Sequence, residues 1–183
     1  MNEIELKFKV NDYNKIYQKL LQMGCIFGKK IVQRDAVFFH KDNKNYDINF
    51  QTIVIRTRII DDSIKQVTLK RRMDDSCASR EIEFLVENTE KVDEFIDSLG
   101  FVKTIEFTKE RMQTTLGEFN ICFDKIDELG QYVEIEIITN DNNIQQYKNK
   151  IINFASYIGI DINNIESKYY PQIILDKKRK VKI

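Results

Sequence analysis

The sequence predicts an α+β fold: an antiparallel sheet with one charged and one apolar face and helices packed on the apolar face; if the strands curl, the charged faces converge inside a barrel. Three observations lead there. Segment after segment alternates apolar and charged residues with period two, the signature of strands with unlike faces. Two stretches carry helical apolar stripes that end at glycines. No Pro/Gly/Ser-rich linker divides the chain, which has a single proline, Pro171, and six glycines.

The elements follow in order. At the N-terminus Ile4, Leu6 and Phe8 point one way and Glu3, Glu5 and Lys7 the other, which makes a strand. Asp12 is placed to cap a helix through about Met23, with Gly24 at the C′ position and Ile16, Leu20 and Met23 as its apolar stripe. Extended segments are expected near 30–40, 50–60, 65–72 and 79–86, with a turn at Asp61-Asp62-Ser63. Thr89 is placed to cap a second helix, with Val92, Phe95, Ile96 and Leu99 on one face and Gly100 closing it. Strands follow near 101–116, 118–126 and 131–139, turning at Gly117 and Gly130; a third helix spans about 142–158 and a shorter one includes Tyr169 to Leu175. The strand Glu3–Leu6 with its helix and the strand Glu81–Phe84 with its helix form a weak repeat, so the chain reads as two βαβββ halves in one domain, 1–175, followed by a basic tail, 176–183. The tail reads as a solvated end.

Composition removes several classes of function. Of 183 residues, 42% are hydrophobic and 32% charged, enough to bury a core. Twenty-nine Lys and Arg balance 29 Asp and Glu, which gives no global attraction to nucleic acid or an anionic membrane; neither is expected as a partner. Charges interrupt the first ten residues before a signal-peptide core forms, and no apolar run is long enough to span a bilayer. Cys25, Cys77 and Cys122 are odd in number and form no CxxC pair, so a reduced cytoplasmic protein is expected without disulfides or zinc. His40 is the lone histidine, which argues against a triad or a His-rich metal site.

The charges are patterned. Residues i and i+2 share a strand face, and like charges recur at that spacing: Glu3/Glu5, Glu81/Glu83 and Glu134/Glu136 are acidic, while Arg56/Arg58, Lys70/Arg72 and Lys109/Arg111 are basic. A sheet with one wet face explains any single pair. Six such pairs point instead to a surface organised around bound ions of both signs, because like charges at this spacing repel. Arg and Lys suit phosphate oxygens, and clustered carboxylates without His or Cys suit Mg²⁺ or Mn²⁺. Together they describe a metal–polyphosphate site.

These residues resemble the CYTH superfamily, the triphosphate tunnel metalloenzymes. Glu3-x-Glu5-x-Lys7 matches the ExExK signature on a first strand. In order follow Gln33-Arg34-Asp35, Arg56-x-Arg58, Thr68-Leu69-Lys70, Ser79-Arg80-Glu81-Ile82-Glu83 for the family's R-x-E-x-E strand, Lys109-x-Arg111, and Asp124 through Leu129-Gly130 to Glu134-x-Glu136. The likeness covers residues 3 to about 175, and the layout is most similar to class IV adenylate cyclases. Lys168-Tyr169 departs from the Ser-Tyr that the family often carries.

The resemblance implies an eight-stranded antiparallel barrel, with the charged faces turned inward and helices around it. It implies that Glu3, Glu5, Glu134 and Glu136 hold Mg²⁺ or Mn²⁺, with Asp124 beside them. Lys7, Arg56, Arg58, Lys70, Arg80, Lys109 and Arg111 would bind the triphosphate, and Glu5, Lys70, Arg111 and Asp124 would serve the reaction. Glu81 and Glu83 would pair with these cations or face another wall. The expected activity is conversion of ATP to cyclic AMP and pyrophosphate. The alternatives are a triphosphatase acting on tripolyphosphate, thiamine triphosphate or a nucleotide, and a non-catalytic polyphosphate-binding module. Related enzymes point to a homodimer.

Overall fold

A computed structural model gives the fold and describes residues 2–73 and 77–180. The elements are β1 (Asn2–Val10), α1 (Asn14–Gln22), β2 (Ile31–His40), β3 (Ile53–Ile60), β4 (Ile64–Arg72), β5 (Ala78–Leu85), α2 (Thr89–Ser98), β6 (Phe101–Leu116), β7 (Phe119–Ile126), β8 (Gly130–Thr139), α3 (Ile144–Tyr157), a 3₁₀ turn (Ile162–Asn164), β9 (Ile165–Glu166) and α4 (Tyr170–Lys180). The βαβββ pattern therefore occurs twice, as β1-α1-β2-β3-β4 and as β5-α2-β6-β7-β8. The two-residue strand β9 has no counterpart in the sequence expectations.

The strands run in the order β5-β4-β3-β2-β6-β7-β8-β1-β9, and β5 also pairs with β1. Hydrogen bonding thus returns to its starting strand, which is the topology of a closed eight-stranded barrel with β9 appended outside the cycle. The ladders β2/β3, β3/β4, β4/β5, β7/β8 and β1/β8 are antiparallel. At the closure, the Glu5 amide donates to the Cys77 carbonyl at 3.1 Å.

The chain resolves into two compact units, with β6 contributing to both. The first comprises residues 1–31, 76–78 and 110–167. In it Ile4, Leu6 and Phe8 of β1, Val133, Ile135 and Ile137 of β8, and Ile121 and Phe123 of β7 are buried. Helices α1 and α3 add Ile16, Leu20, Ile151 and Ala155 to the buried set. Tyr13, Tyr17 and Phe27 meet Phe123 edge-on, with ring centroids 5.0, 6.3 and 5.5 Å away. Burying this apolar face is the main stabilising term for the unit.

The second unit comprises residues 32–75, 79–109 and 168–183, of which 74, 75 and 181–183 lie outside the described residues. Its core packs Phe38, Ile55 and Val67 from β2, β3 and β4 against Ile96 and Val92 of α2. The β3–β4 turn uses Asp61 and Asp62 at φ 47° and 60°. Two successive positive φ values suit a tight hairpin, and Asp tolerates them better than most side chains.

Several local expectations need correction. Asn88, not Thr89, caps α2, accepting a hydrogen bond from the Lys91 amide at 3.0 Å; Thr89 is the first helical residue. Of the four apolar residues read as one face of α2, Ile96 and Val92 pack inward while Phe95 and Leu99 are exposed. The cap of α1 is Tyr13, while Asp12 accepts from the Asn14 amide at 2.8 Å. Gly24 and Gly100 close α1 and α2 at φ +85° and +84°. At Gly100 a side chain would also stand 3.3 Å from the His40 ring, so glycine is favoured there twice over. Helix α4 continues through Lys177, Lys178, Arg179 and Lys180, so residues 176–180 are helical rather than an open tail; the tail's Val181, Lys182 and Ile183 lie outside the described residues. Four cations in the last turn are favourably placed against the helix dipole. No helix among the described residues is long and apolar enough to cross a membrane.

Candidate active site

In the first unit the face opposite the apolar one carries the charges. Register sets Glu5 across from Glu136 and Lys7 across from Glu134 on β1 and β8, and Asn120 and Cys122 of β7 across from Glu136 and Glu134. Carboxylate oxygens of Glu3, Glu5 and Glu136 lie within 4.8 Å of one another, and all three residues are half-buried. Like charges this close are unfavourable without a cation. The donors are hard oxygens with no histidine or cysteine among them, so the set fits Mg²⁺ or Mn²⁺. Asn120 steadies Glu136 by donating to it at 3.3 Å.

Beside this triad is a network that draws in the other predicted residues. Lys7 Nζ lies 2.9 Å from Glu5 and 2.8 Å from Glu134. Arg111 forks onto Asp124, with Nε and Nη2 donating at 2.7 and 2.6 Å, and Nη2 also reaches Glu134. Burial pulls the Lys7 pKa down, but Glu134 and Glu5 more than offset it, so the ammonium titrates above its ordinary range. Arg111 behaves likewise: burial opposes its charge, and Asp124, Cys122 and Glu134 hold it on. Glu134, read from the sequence as a metal ligand, therefore spans two cations, whereas Glu3, Glu5 and Glu136 form the triad. Asp124 is fully buried and serves as the anchor of Arg111.

The second unit gathers the other cations on one face of β2, β3 and β4. Arg58 makes a bidentate pair with Asp35 at 2.6 and 2.7 Å, both residues being buried. Burial pushes the Asp35 carboxyl up, but Arg58, Arg56 and Lys109 overcome this and hold its pKa at about 2. Arg56 donates to Thr68 at 2.9 Å, and the Thr68 hydroxyl donates to Glu83 at 2.9 Å. Lys70 pairs with Glu81 at 2.6 Å. Of the two possibilities left open for Glu81 and Glu83, pairing with the cations is the one observed.

Arg80 is placed differently. It opposes Arg71, and strand alternation puts it on the face away from Lys70 and Glu81, together with exposed Ile82 and Phe84. Sequence reasoning gave Asp35 and Thr68 no role on the charged face beyond their motifs, and it placed Arg72 on that face without giving it a site role. Their register was readable in part, since Asp35 lies in the Q-x-D motif and Arg72 two residues after Lys70. It also gave no role to Tyr169 and Tyr170, whose rings lie over Lys70 and Lys109. Those contacts come from the far end of the chain and have no local signal.

Comparison with known proteins agrees with this chemistry. A Methanocaldococcus jannaschii protein named "Putative adenylate cyclase" is 26% identical over 94% of this chain and 98% of its own length. A solved protein of Pyrococcus horikoshii superposes with a TM-score of 0.79 at 26% identity, covering 93% of this chain and 98% of that one. An adenylyl cyclase-like protein from Hippeastrum, described as having a dominant triphosphatase activity, superposes at 0.63 with 17% identity, covering 97% and 95%. The CYTH domain model matches residues 1–170. With the match spanning nearly the whole length and the ExExK strand supplying two of the triad's three carboxylates, this chain belongs to the CYTH domain family.

Proposed function

We propose that the protein is a metal-dependent adenylate cyclase of class IV type, converting ATP to cyclic AMP and pyrophosphate. CYTH enzymes are adenylate cyclases or triphosphatases that use a divalent metal. The observation that carries the reading is the Glu3/Glu5/Glu136 triad bordered by the Lys7–Glu134–Arg111–Asp124 network. Anion binding alone calls for cations and not for a knot of carboxylates.

Glu3, Glu5 and Glu136 would hold Mg²⁺ or Mn²⁺, which supplies charge neutralisation on the phosphate oxygens. Lys7 orients Glu5 and Glu134. Asp124 fixes the plane of Arg111, and a guanidinium held in one orientation stabilises developing negative charge without reorganising. In the second unit Lys70, Arg56 and Lys109 bind the triphosphate, and Arg58 acts mainly by anchoring Asp35. In the reaction the ribose 3′-hydroxyl gives up its proton to water as its oxygen bonds to the α-phosphorus, the bond from that phosphorus to the bridging oxygen breaks, and pyrophosphate departs with the electron pair. Such chemistry depends on positioning and electrostatics more than on a dedicated base. The buried cysteines, none in a disulfide, fit a reducing cytoplasm.

A second reading, a triphosphatase, is favoured by the activity described for the Hippeastrum protein. Incubation with ATP and Mn²⁺ or Mg²⁺, followed by product identification, separates the two. Cyclic AMP and pyrophosphate are expected. Orthophosphate with ADP or AMP, or faster cleavage of tripolyphosphate, would replace the cyclase reading with the hydrolase. No turnover with either metal would leave a binding module. Lys70→Ala is expected to raise KM, lower kcat, or both, by about tenfold, in steady-state kinetics.

A further inference from the structure

The entrance to α4 places two consecutive tyrosines on the cations of the second unit. The Tyr169 ring has Lys70 Nζ and Arg72 Cζ each 4.8 Å from its centroid, and Arg72 also donates to the Tyr169 hydroxyl. The neighbouring Tyr170 ring, buried, has Lys109 Nζ 5.3 Å from its centroid. One dipeptide thus contacts cations from two strands, β4 and β6. The helix behind it is held by other contacts: Ile174 is fully buried, Gln172 accepts from the Tyr169 amide at 3.1 Å, and Arg179 donates to the Asn45 carbonyl at 3.1 Å.

We propose that Tyr169 and Tyr170 are positioning residues that set Lys70, Arg72 and Lys109 for the phosphate chain. Lys70 is oriented by the Glu81 carboxylate as well, which offsets its charge. The face of an aromatic ring attracts an ammonium or guanidinium through its quadrupole and carries no net charge, so the ring adds orientation without offsetting the cation further. Ordering a lysine or arginine costs rotamer entropy, and a cation already resting on a ring has lost much of that freedom before substrate arrives. The hydroxyl of Tyr169 adds a fixed acceptor for Arg72, which defines the guanidinium plane. Tyr169 is half-buried and Tyr170 buried, so the rings also limit water around the three cations. The inference rests on the reading of Lys70 and Lys109 as phosphate ligands.

The test compares Tyr169→Leu, which removes the ring, with Tyr169→Phe, which keeps it. Binding of inorganic tripolyphosphate is measured by calorimetry in metal-free buffer, with KM and kcat for ATP measured alongside and folding checked by thermal melts. Tyr169→Leu should weaken tripolyphosphate binding about tenfold and raise KM more than it lowers kcat, and Tyr169→Phe should restore most of the affinity. Tyr169→Met takes the place of the leucine variant if that does not fold. Wild-type affinity in the ring-deleted variant, while Lys70→Ala binds weakly, overturns the positioning role alone. Unchanged tripolyphosphate binding in Lys70→Ala overturns the phosphate-ligand reading and this inference with it.

Discussion

Asp35 shows how one residue turns strand register into an energetic commitment. It lies across from Arg58, and the two bury a bidentate ion pair beneath the cationic face. Such a pair contributes little against a hydrophobic replacement, yet breaking it leaves a buried charge without its partner. Asp35→Asn should therefore cost about 3–5 kcal/mol in urea unfolding. The pH dependence follows from the depressed carboxyl. Its folded pKa of about 2 lies below the ordinary aspartate value, so the stabilisation is complete above about pH 4 and fades as pH falls toward 2. Acid unfolding of the wild type should show a loss on the order of 2 kcal/mol across that window, absent from the Asn variant. The partnership was only half legible beforehand: Asp35 stood in a motif, but nothing local to residue 35 announces Arg58.

At the scale of elements, period two did most of the work. In β1 the residues Ile4, Leu6 and Phe8 are buried as expected, and Glu3, Glu5 and Lys7 share the other face. A strand has only two faces, so alternation settles which residues keep company before any partner is known. Helices were read less surely. In α2 a stripe of four apolar residues was expected to pack, but a helix presents a face whose width depends on what covers it, and Phe95 and Leu99 are left exposed. The start of α2 was misplaced by one residue because Asn88 and Thr89 are both competent caps and Asn88 takes the role. Asn88→Ala should lower stability by about 1 kcal/mol in a thermal or chemical melt, and Thr89→Ala by clearly less. An equal loss in both would return the cap to Thr89.

For the whole molecule, metal dependence is the decisive property. If Glu3, Glu5 and Glu136 hold the ion, Mn²⁺ should raise the Tm of the wild type in proportion to the logarithm of its concentration, since a ligand bound only by the folded state stabilises it by mass action. Glu5→Gln should abolish that shift and turnover together while changing the metal-free Tm little, because Lys7 retains Glu134. Glu134→Gln should also abolish turnover but keep most of the Mn²⁺ shift, since Glu134 is engaged with Lys7 and Arg111 rather than grouped in the triad. A Mn²⁺ shift that survives in Glu5→Gln and vanishes in Glu134→Gln would invert the assignment. Chelation with EDTA should stop turnover, and added Mg²⁺ or Mn²⁺ should restore it.

By itself the amino-acid order determined the strands, the two βαβββ halves, the like-charged faces and the hard-oxygen chemistry, because each follows from residues close together in the chain. Tertiary structure decided which carboxylates form the triad and which are taken up by Lys7 and Arg111. It also turned Arg80 to the other face and brought Tyr169 and Tyr170 back over Lys70 and Lys109. Those outcomes depend on pairing between distant segments, and side-chain alternation specifies a face without naming the strand or helix that will meet it.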